Sequence, residues 1–129
     1  MEFAVMASVF ILVIFGLVAY GGAIAEAEGD VQSAAQNAAR AASLVSQGRA
    51  PAEARAVANA NLAAAGRSCR GGRSVAITAW THSPGTGGYV EVTVTCTVDL
   101  GDIAPGNAPG SRTIVKTARE VVDTFRGGS

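Results

Sequence analysis

No lysine or arginine precedes the apolar start of this chain, and its 129 residues hold one lysine, one histidine and two cysteines. Each scarcity removes a class of function. Lys116 accompanies nine scattered arginines, net charge is zero, and no basic cluster interleaves with aromatics, so nucleic-acid binding has no compositional support. Two cysteines outside any C-x-x-C pair and one imidazole, His82, do not complete a zinc site. No phosphate loop, nucleophile elbow or metal cluster is visible. His82 lies beside a Pro/Gly loop, and nothing in the spacing supplies the acid and nucleophile that a general base needs. The composition therefore implies no catalytic residues, no cofactor and no metal, and the chain reads as something other than an enzyme. Asn-x-Ser/Thr does not occur.

What the chain does have is an uncharged apolar run from Phe3 to Ala25, fenced by Glu2 in front and by Glu26, Glu28 and Asp30 behind. As a helix the run would extend roughly 34 Å at about 1.5 Å per residue, enough for the ~30 Å hydrocarbon core of a bilayer. A secretory signal peptide is the rival reading. It would begin with basic residues, carry an apolar centre of about 7–15 residues and end in an A-x-A-like cleavage site. Here the first charge is acidic and the run is longer, although Ala23-Ile24-Ala25 has the form of such a site. Glu2 stands at the margin of the span, where a carboxylate is costly to bury and needs a partner or water. It is either an interfacial charge at the bilayer edge or a group neutralised in an assembly by the N-terminal amine of a neighbouring copy.

The run continues without a helix breaker into a polar, Ala-rich segment. Val31, Ala35, Ala38, Ala42 and Val45 recur at helical spacing, with Ser33, Gln36, Asn37, Arg40, Ser43 and Gln47 elsewhere on the wheel. That is an amphipathic helix with a narrow small-residue seam. The apolar half repeats the theme, Ala19 with Ala23 and Gly21 with Ala25, at a spacing that lets helix backbones approach closely. Gly16, Gly21 and Gly22 weaken an isolated helix in water but are tolerated among lipid and neighbouring helices. The helix is predicted to end at Gly48, a natural C′ residue. Pro51 suits the first turn of a second, Ala-dominated helix reaching about Ala65, closed by Gly66. The acids Glu26, Glu28 and Asp30 are followed by Arg40, Arg49, Arg55, Arg67, Arg70 and Arg73. Both sets are either solvated surface or complementary faces of different copies. In the second case acids of one copy meet Arg40 or Arg49 of another, and the assembly weakens with salt.

From Arg73 the pattern changes. Ser74 to Thr81 is β-prone, with Val75, Ile77 and Ala79 on one face and Trp80 on the other, and Ser83 to Gly88 reads as a loop. Tyr89 to Leu100 alternates cleanly: Val90, Val92, Val94, Cys96, Val98 and Leu100 on a buried face, Glu91, Thr93, Thr95, Thr97 and Asp99 opposite. Trp80 and Tyr89 form either a recognition patch or packing on the outer face of the sheet. Gly101 to Gly110, with Pro105 and Pro109, reads as loop. The last segment, with Ile114, Val115, Ala118, Val121, Val122 and Phe125, fits a helical period yet is rich in β-prone residues, so the residues alone leave strand and helix open. Beyond a membrane anchor, Cys69 and Cys96 most simply form one disulfide, tying the sheet to the segment after the second helix; two reduced buried thiols are the alternative.

Three stretches carry a family resemblance. Glu2-Phe3-Ala4 opens an apolar run that reaches Gly16 and Tyr20. Gln32 to Leu44 is Ala-rich and includes Ala38-Ala39-Arg40-Ala41-Ala42. Gly110-Ser111-Arg112-Thr113 is followed by Val122-Asp123-Thr124-Phe125-Arg126-Gly127. With these the chain resembles TadE-like pilins, the tight-adherence branch of type IV pili, and its C-terminal end resembles actinobacterial members. The resemblance implies a precursor cut by a prepilin peptidase at the cytoplasmic face. A pilus assembly machinery then draws the subunit from the membrane into an extracellular helical filament, N-terminal helices inside and C-terminal domain outside. The type IV pilin glutamate usually stands fifth in the mature chain; here it is second, so either residues precede Met1 or processing differs. By analogy the last segment becomes a strand.

The expectation is an α+β, type IV pilin-like fold: a long hydrophobic N-terminal helix, a short second helix and a small antiparallel sheet of about three strands. Residues 1–25 would form the membrane or filament-core half, 26–48 the amphipathic continuation and 49–129 the globular domain. The candidate assembly residues are Glu2, Phe3, Gly16, Ala19, Ala23 and Arg40, and the candidate disulfide is Cys69 with Cys96. The expected partners are the membrane and then other copies of the chain, without nucleic acid, and the expected role is a structural subunit serving surface attachment. A minor pilin or membrane-tethered binding module is the second reading, and a secreted domain whose N-terminus is removed is the third.

Overall fold

The computed structural model describes residues 1–70, 72–83, 87–103 and 109–122. The expected loop centres at 84–86 and 104–108, and Phe125, lie outside them. One helix, α1 (Glu2–Ser43), takes up the first third of the chain. At about 1.5 Å per residue it is roughly 63 Å long. A second helix, α2 (Ala50–Ala64), folds back along it, and Asn37 Nδ2 donates to Asn61 Oδ1 at 2.7 Å between them. Three antiparallel strands follow, β1 (Gly72–Ser83), β2 (Gly87–Asp99) and β3 (Ser111–Val122), in the spatial order β1-β2-β3. The single-turn α3 (Leu100–Ile103) sits where a loop was expected, and it takes Leu100 out of the strand. The fold is α+β, and the last segment is a strand. α1 lies over β2 and β3, and α2 over β1, so the core is one layer between helices and sheet.

Alanine sets the character of that core. Ala27, Val31, Ala34, Ala35, Ala38, Ala39 and Ala42 of α1 are fully buried, as are Ala50, Ala58 and Leu62 of α2. The seam is wider than its expected members because α1 meets two neighbours, α2 on one side and the sheet on the other. Across the layer stand Val90, Val92, Val94, Cys96 and Val98 of β2, as the alternation requires.

Two helix ends resolve differently. α1 stops at Ser43, short of Gly48. Leu44 N–H bonds Ala41 O and Val45 N–H bonds Ala42 O, tightening the last turn, while Ser43 Oγ bonds Arg40 O. Gly48 falls in the turn that lets α2 return, with Arg49 and Ala50 N–H both on Ser46 O. At the end of α2, by contrast, Gly66 has φ +76° and closes a Schellman motif: Gly66 N–H bonds Ala63 O and Arg67 N–H bonds Leu62 O. That reversal delivers Arg67 to Asp30, 2.7 Å away.

β1 contains an irregularity that alternation does not anticipate. Ile77 pairs with Val92 but Ala79 pairs with Glu91, so Thr78 is the extra residue of a bulge. The bulge moves Ala79 to the outer face and turns Trp80 inward, opposite Val90, where it packs against the core with Val75 and Ile77. The expected outward Trp80 is therefore wrong by one position of register. Within β3 the inward residues are Ile114, Ala118 and Val122, buried, with Lys116 and Glu120 half-buried between them. Charged side chains pointing inward on an edge strand discourage pairing with another sheet.

Gly88 is held by a close approach. A Cβ there would collide with the Thr81 carbonyl and stand 2.8 Å from His82 Cα, backbone atoms that cannot rotate away. Gly88→Ala is expected to cost about 2–3 kcal/mol. Gly29→Ala, on the open side of α1, is expected to stabilise by up to about 1 kcal/mol. Thermal melts of the two variants test the contrast.

Candidate assembly surface

From Phe3 to Val18 the side chains of α1 are exposed, Ala7 alone being half-buried. Phe3 is 88% exposed, Leu12 71% and Val18 68%, whereas Val31 in the same helix is 0% exposed. α1 is long and apolar enough to cross a membrane, and none of its most apolar window is buried within the chain. The one hydroxyl in the first part of that stretch is satisfied internally, Ser8 Oγ donating to Ala4 O at 2.7 Å. Such a bond lets a serine sit in an apolar medium.

The candidate residues are strung along this helix rather than gathered at one point. Glu2 is its first residue and is exposed, an acid at the positive end of the helix dipole. Phe3 projects freely. Gly16 and Ala19 are exposed, with open space where a Gly16 side chain would go, and Ala23 is half-buried. Gly16, Ala19 and Ala23 continue, at steps of three and four, into the fully buried Ala27. The stripe of α1 that meets the fold in its second half thus runs on uncovered into its first half. Arg40 is exposed.

Charges where α1 enters the fold are partly consumed by the chain itself. Asp30 is taken by Arg67 at 2.7 Å, and Glu28 by Arg112 at 3.2 Å. Both arginines come from distant segments, so spacing along the sequence gave no sign of them. Among the described residues Glu26 makes no ion pair. Cys69 and Cys96 are joined in a disulfide across the same end of the sheet. Cys69 is buried and adopts φ +47°, unusual for a residue with a side chain, and its carbonyl accepts from Gly72 N–H.

The outer face of the sheet is a second exposed surface, ordered by side-chain hydrogen bonds. Thr93 Oγ1 lies 2.9 Å from Thr117 Oγ1, and Thr97 Oγ1 3.0 Å from Thr113 Oγ1. Arg119 stacks 4.0 Å over the Tyr89 ring and donates to Glu91 at 3.0 Å, while Thr78 donates to the other carboxylate oxygen at 2.9 Å. The Arg119 hydrogen bond first, then that of Thr78, holds the Glu91 carboxyl below its ordinary value of 4.5. A carboxylate that is a stronger acid in the folded chain contributes stability that is complete above the unfolded value and fades as pH falls through the folded one. The melting-temperature difference between wild type and Glu91→Gln is therefore expected to be present at neutral pH and to shrink below about pH 4. A difference that stays constant down to pH 2 would remove this pair from the acid response.

No curated protein and no solved structure matches the chain. Residues 1–43, which contain the whole of α1, match the family model described as TadE-like protein, as the resemblance of the N-terminal residues implied.

Proposed function

We propose that this chain is a structural pilin subunit of a Tad-like type IV filament. It is held in the membrane by the first half of α1 and then assembled, outside the cell, through that same helix. One observation carries the reading: α1 is a single continuous helix whose second half is buried in the fold and whose first half is bare. A bare apolar half-helix is stable in lipid, and it is equally stable when surrounded by identical helices that approach along small residues. A contact repeated from copy to copy without closing on itself yields a filament. Surface attachment is the role such a filament would serve, and the TadE-like match over residues 1–43 supports the reading.

Electron microscopy of sheared surface material, with mass spectrometry of the extracellular form, tests it. The expected result is filaments whose subunit retains Phe3 to Ala25. A mature protein lacking that run would sink the proposal. The ordered, exposed threonine face of the sheet, with Val115 and Val121 more than half exposed, favours a second reading as a minor pilin or tethered binding module. Abundance separates the two, since a major subunit dominates the sheared fraction.

A further inference from the structure

Between α2 and the start of β1 lies a groove of about 380 Å³ lined by Arg55, Asn59, Arg73, Ser74 and Val75. Two arginines line it, both exposed. Arg67, Arg112 and Arg119 each meet a carboxylate of their own chain. Among the described residues Arg55 and Arg73 make no ion pair. Asn59 adds an orphan: its Oδ1 is buried with no hydrogen-bond partner among the described residues. A buried acceptor left unpaired is costly, and a guanidinium N–H turned into the groove would satisfy it. Two arginines lining one groove with no carboxylate of their own favour an anion there, and guanidinium forks match a carboxylate in both charge and geometry.

We infer that this groove is the docking site for a carboxylate of a second copy of the chain, and that the carboxylate is Glu26. This rests on the filament reading above. Glu26 is exposed at the point where α1 leaves its bare half, and it makes no ion pair among the described residues. Its neighbours Glu28 and Asp30 are held by Arg112 and Arg67 and are not available. Arg40 and Arg49 are exposed, make no ion pair among the described residues and do not line this groove, which offers two arginines with a hydroxyl and an amide. The geometry also sets a direction. Asn59 lies close to Asn61, which touches Asn37, so the groove stands near the level of Asn37 on α1. Glu26 lies roughly 16 Å of helix below that level. The pairing therefore joins the groove of one copy to Glu26 of a copy displaced along the helix axis by about that distance. This is a head-to-tail contact between different patches, the kind that propagates.

The test uses the full chain in cells that assemble it and compares filament yield in sheared material for wild type, E26R, R55E/R73E and the combined charge swap. Each one-sided reversal is expected to lower the yield about tenfold or more, and the combined swap to recover it to within about threefold. Membrane-held subunit and the Cys69–Cys96 bond should stay at wild-type levels throughout. A one-sided variant that assembles normally, or a swap that fails to recover, overturns the pairing. Loss in R55E/R73E with E26R unaffected also overturns it, and would identify a different anion in the groove. A second measurement preserves charge: zero-length carbodiimide coupling of intact R73K filaments should give a peptide joining Glu26 to position 73. Normal R73K filaments without that peptide overturn the pairing alone. Absence of any filament from the wild type overturns the structural reading, and the pairing with it.

Discussion

Replacing both Cys69 and Cys96 by alanine is expected to remove roughly 3–4 kcal/mol of stability from the folded part of the chain. The melting temperature should fall by on the order of 20 °C, since 1 kcal/mol moves a domain of about 100 residues by several degrees. The bond spans 27 positions and encloses all of β1 and most of β2, so its loss frees the unfolded chain of a substantial constraint. It is also placed where non-covalent anchoring is thin. Alanines dominate the buried surface of both helices, with Val31 and Leu62 the large exceptions, and a buried alanine contributes little transfer free energy. Cys69 departs from ordinary backbone geometry at φ +47°; with the bond gone, nothing covalent holds it there. Trp80, the one tryptophan, is half-buried against the core and reports directly on that event. Its fluorescence in detergent-solubilised full chain should shift at the lower temperature while the bare half of α1 stays helical. A double variant that melts within about 3 °C of wild type would show that the helix–sheet layer supports itself.

Sequence legibility followed the range of the interaction. β2 was readable because burial on one face of a strand imposes a period of two, and Val90 through Val98 obey it. The soluble half of α1 was readable for the same kind of reason, with Val31, Ala35, Ala38 and Ala42 all buried. β3 stayed ambiguous for a definite cause. Its buried residues, Ile114, Ala118 and Val122, recur every four positions because Lys116 and Glu120 occupy the inward sites between them. A step of four fits one face of a helix and one face of a strand equally well. Trp80 was misplaced because a bulge at Thr78 leaves no mark in the alternation on either side of it. The ion pairs Arg67–Asp30 and Arg112–Glu28 were invisible for the opposite reason. They join segments 37 and 84 residues apart, and only the path of the whole chain brings them together. As for the assembly residues, composition located the helix they lie on, while the uncovered continuation of its buried stripe depends on where the sheet and α2 stop covering α1.

Gly16→Leu combined with Ala19→Leu is expected to abolish filaments while leaving the single chain intact, a fall of more than tenfold in sheared yield. Within the chain both positions are open to solvent. Ala19 is exposed, and no atom lies within 4 Å of where a Gly16 Cβ would stand. Helix propensity improves by about 1 kcal/mol when glycine is replaced, and two leucines make the span more apolar, so membrane insertion should not suffer. Every effect on the isolated subunit is thus neutral or favourable, and a loss of assembly points to contacts between subunits. The cause would be steric: small residues let helix axes approach closely, and a leucine at the contact holds them apart, forfeiting dispersion contacts along the whole seam. Val18→Leu adds a methylene on the other side of the same helix, where Val18 is 68% exposed, and is expected to assemble normally. Quantifying filament against membrane-held subunit for the three chains decides the matter. If the Gly16/Ala19 variant polymerises like wild type, the stripe is not where helices meet; if Val18→Leu fails equally, the packing is tight all round rather than directed along Gly16, Ala19 and Ala23.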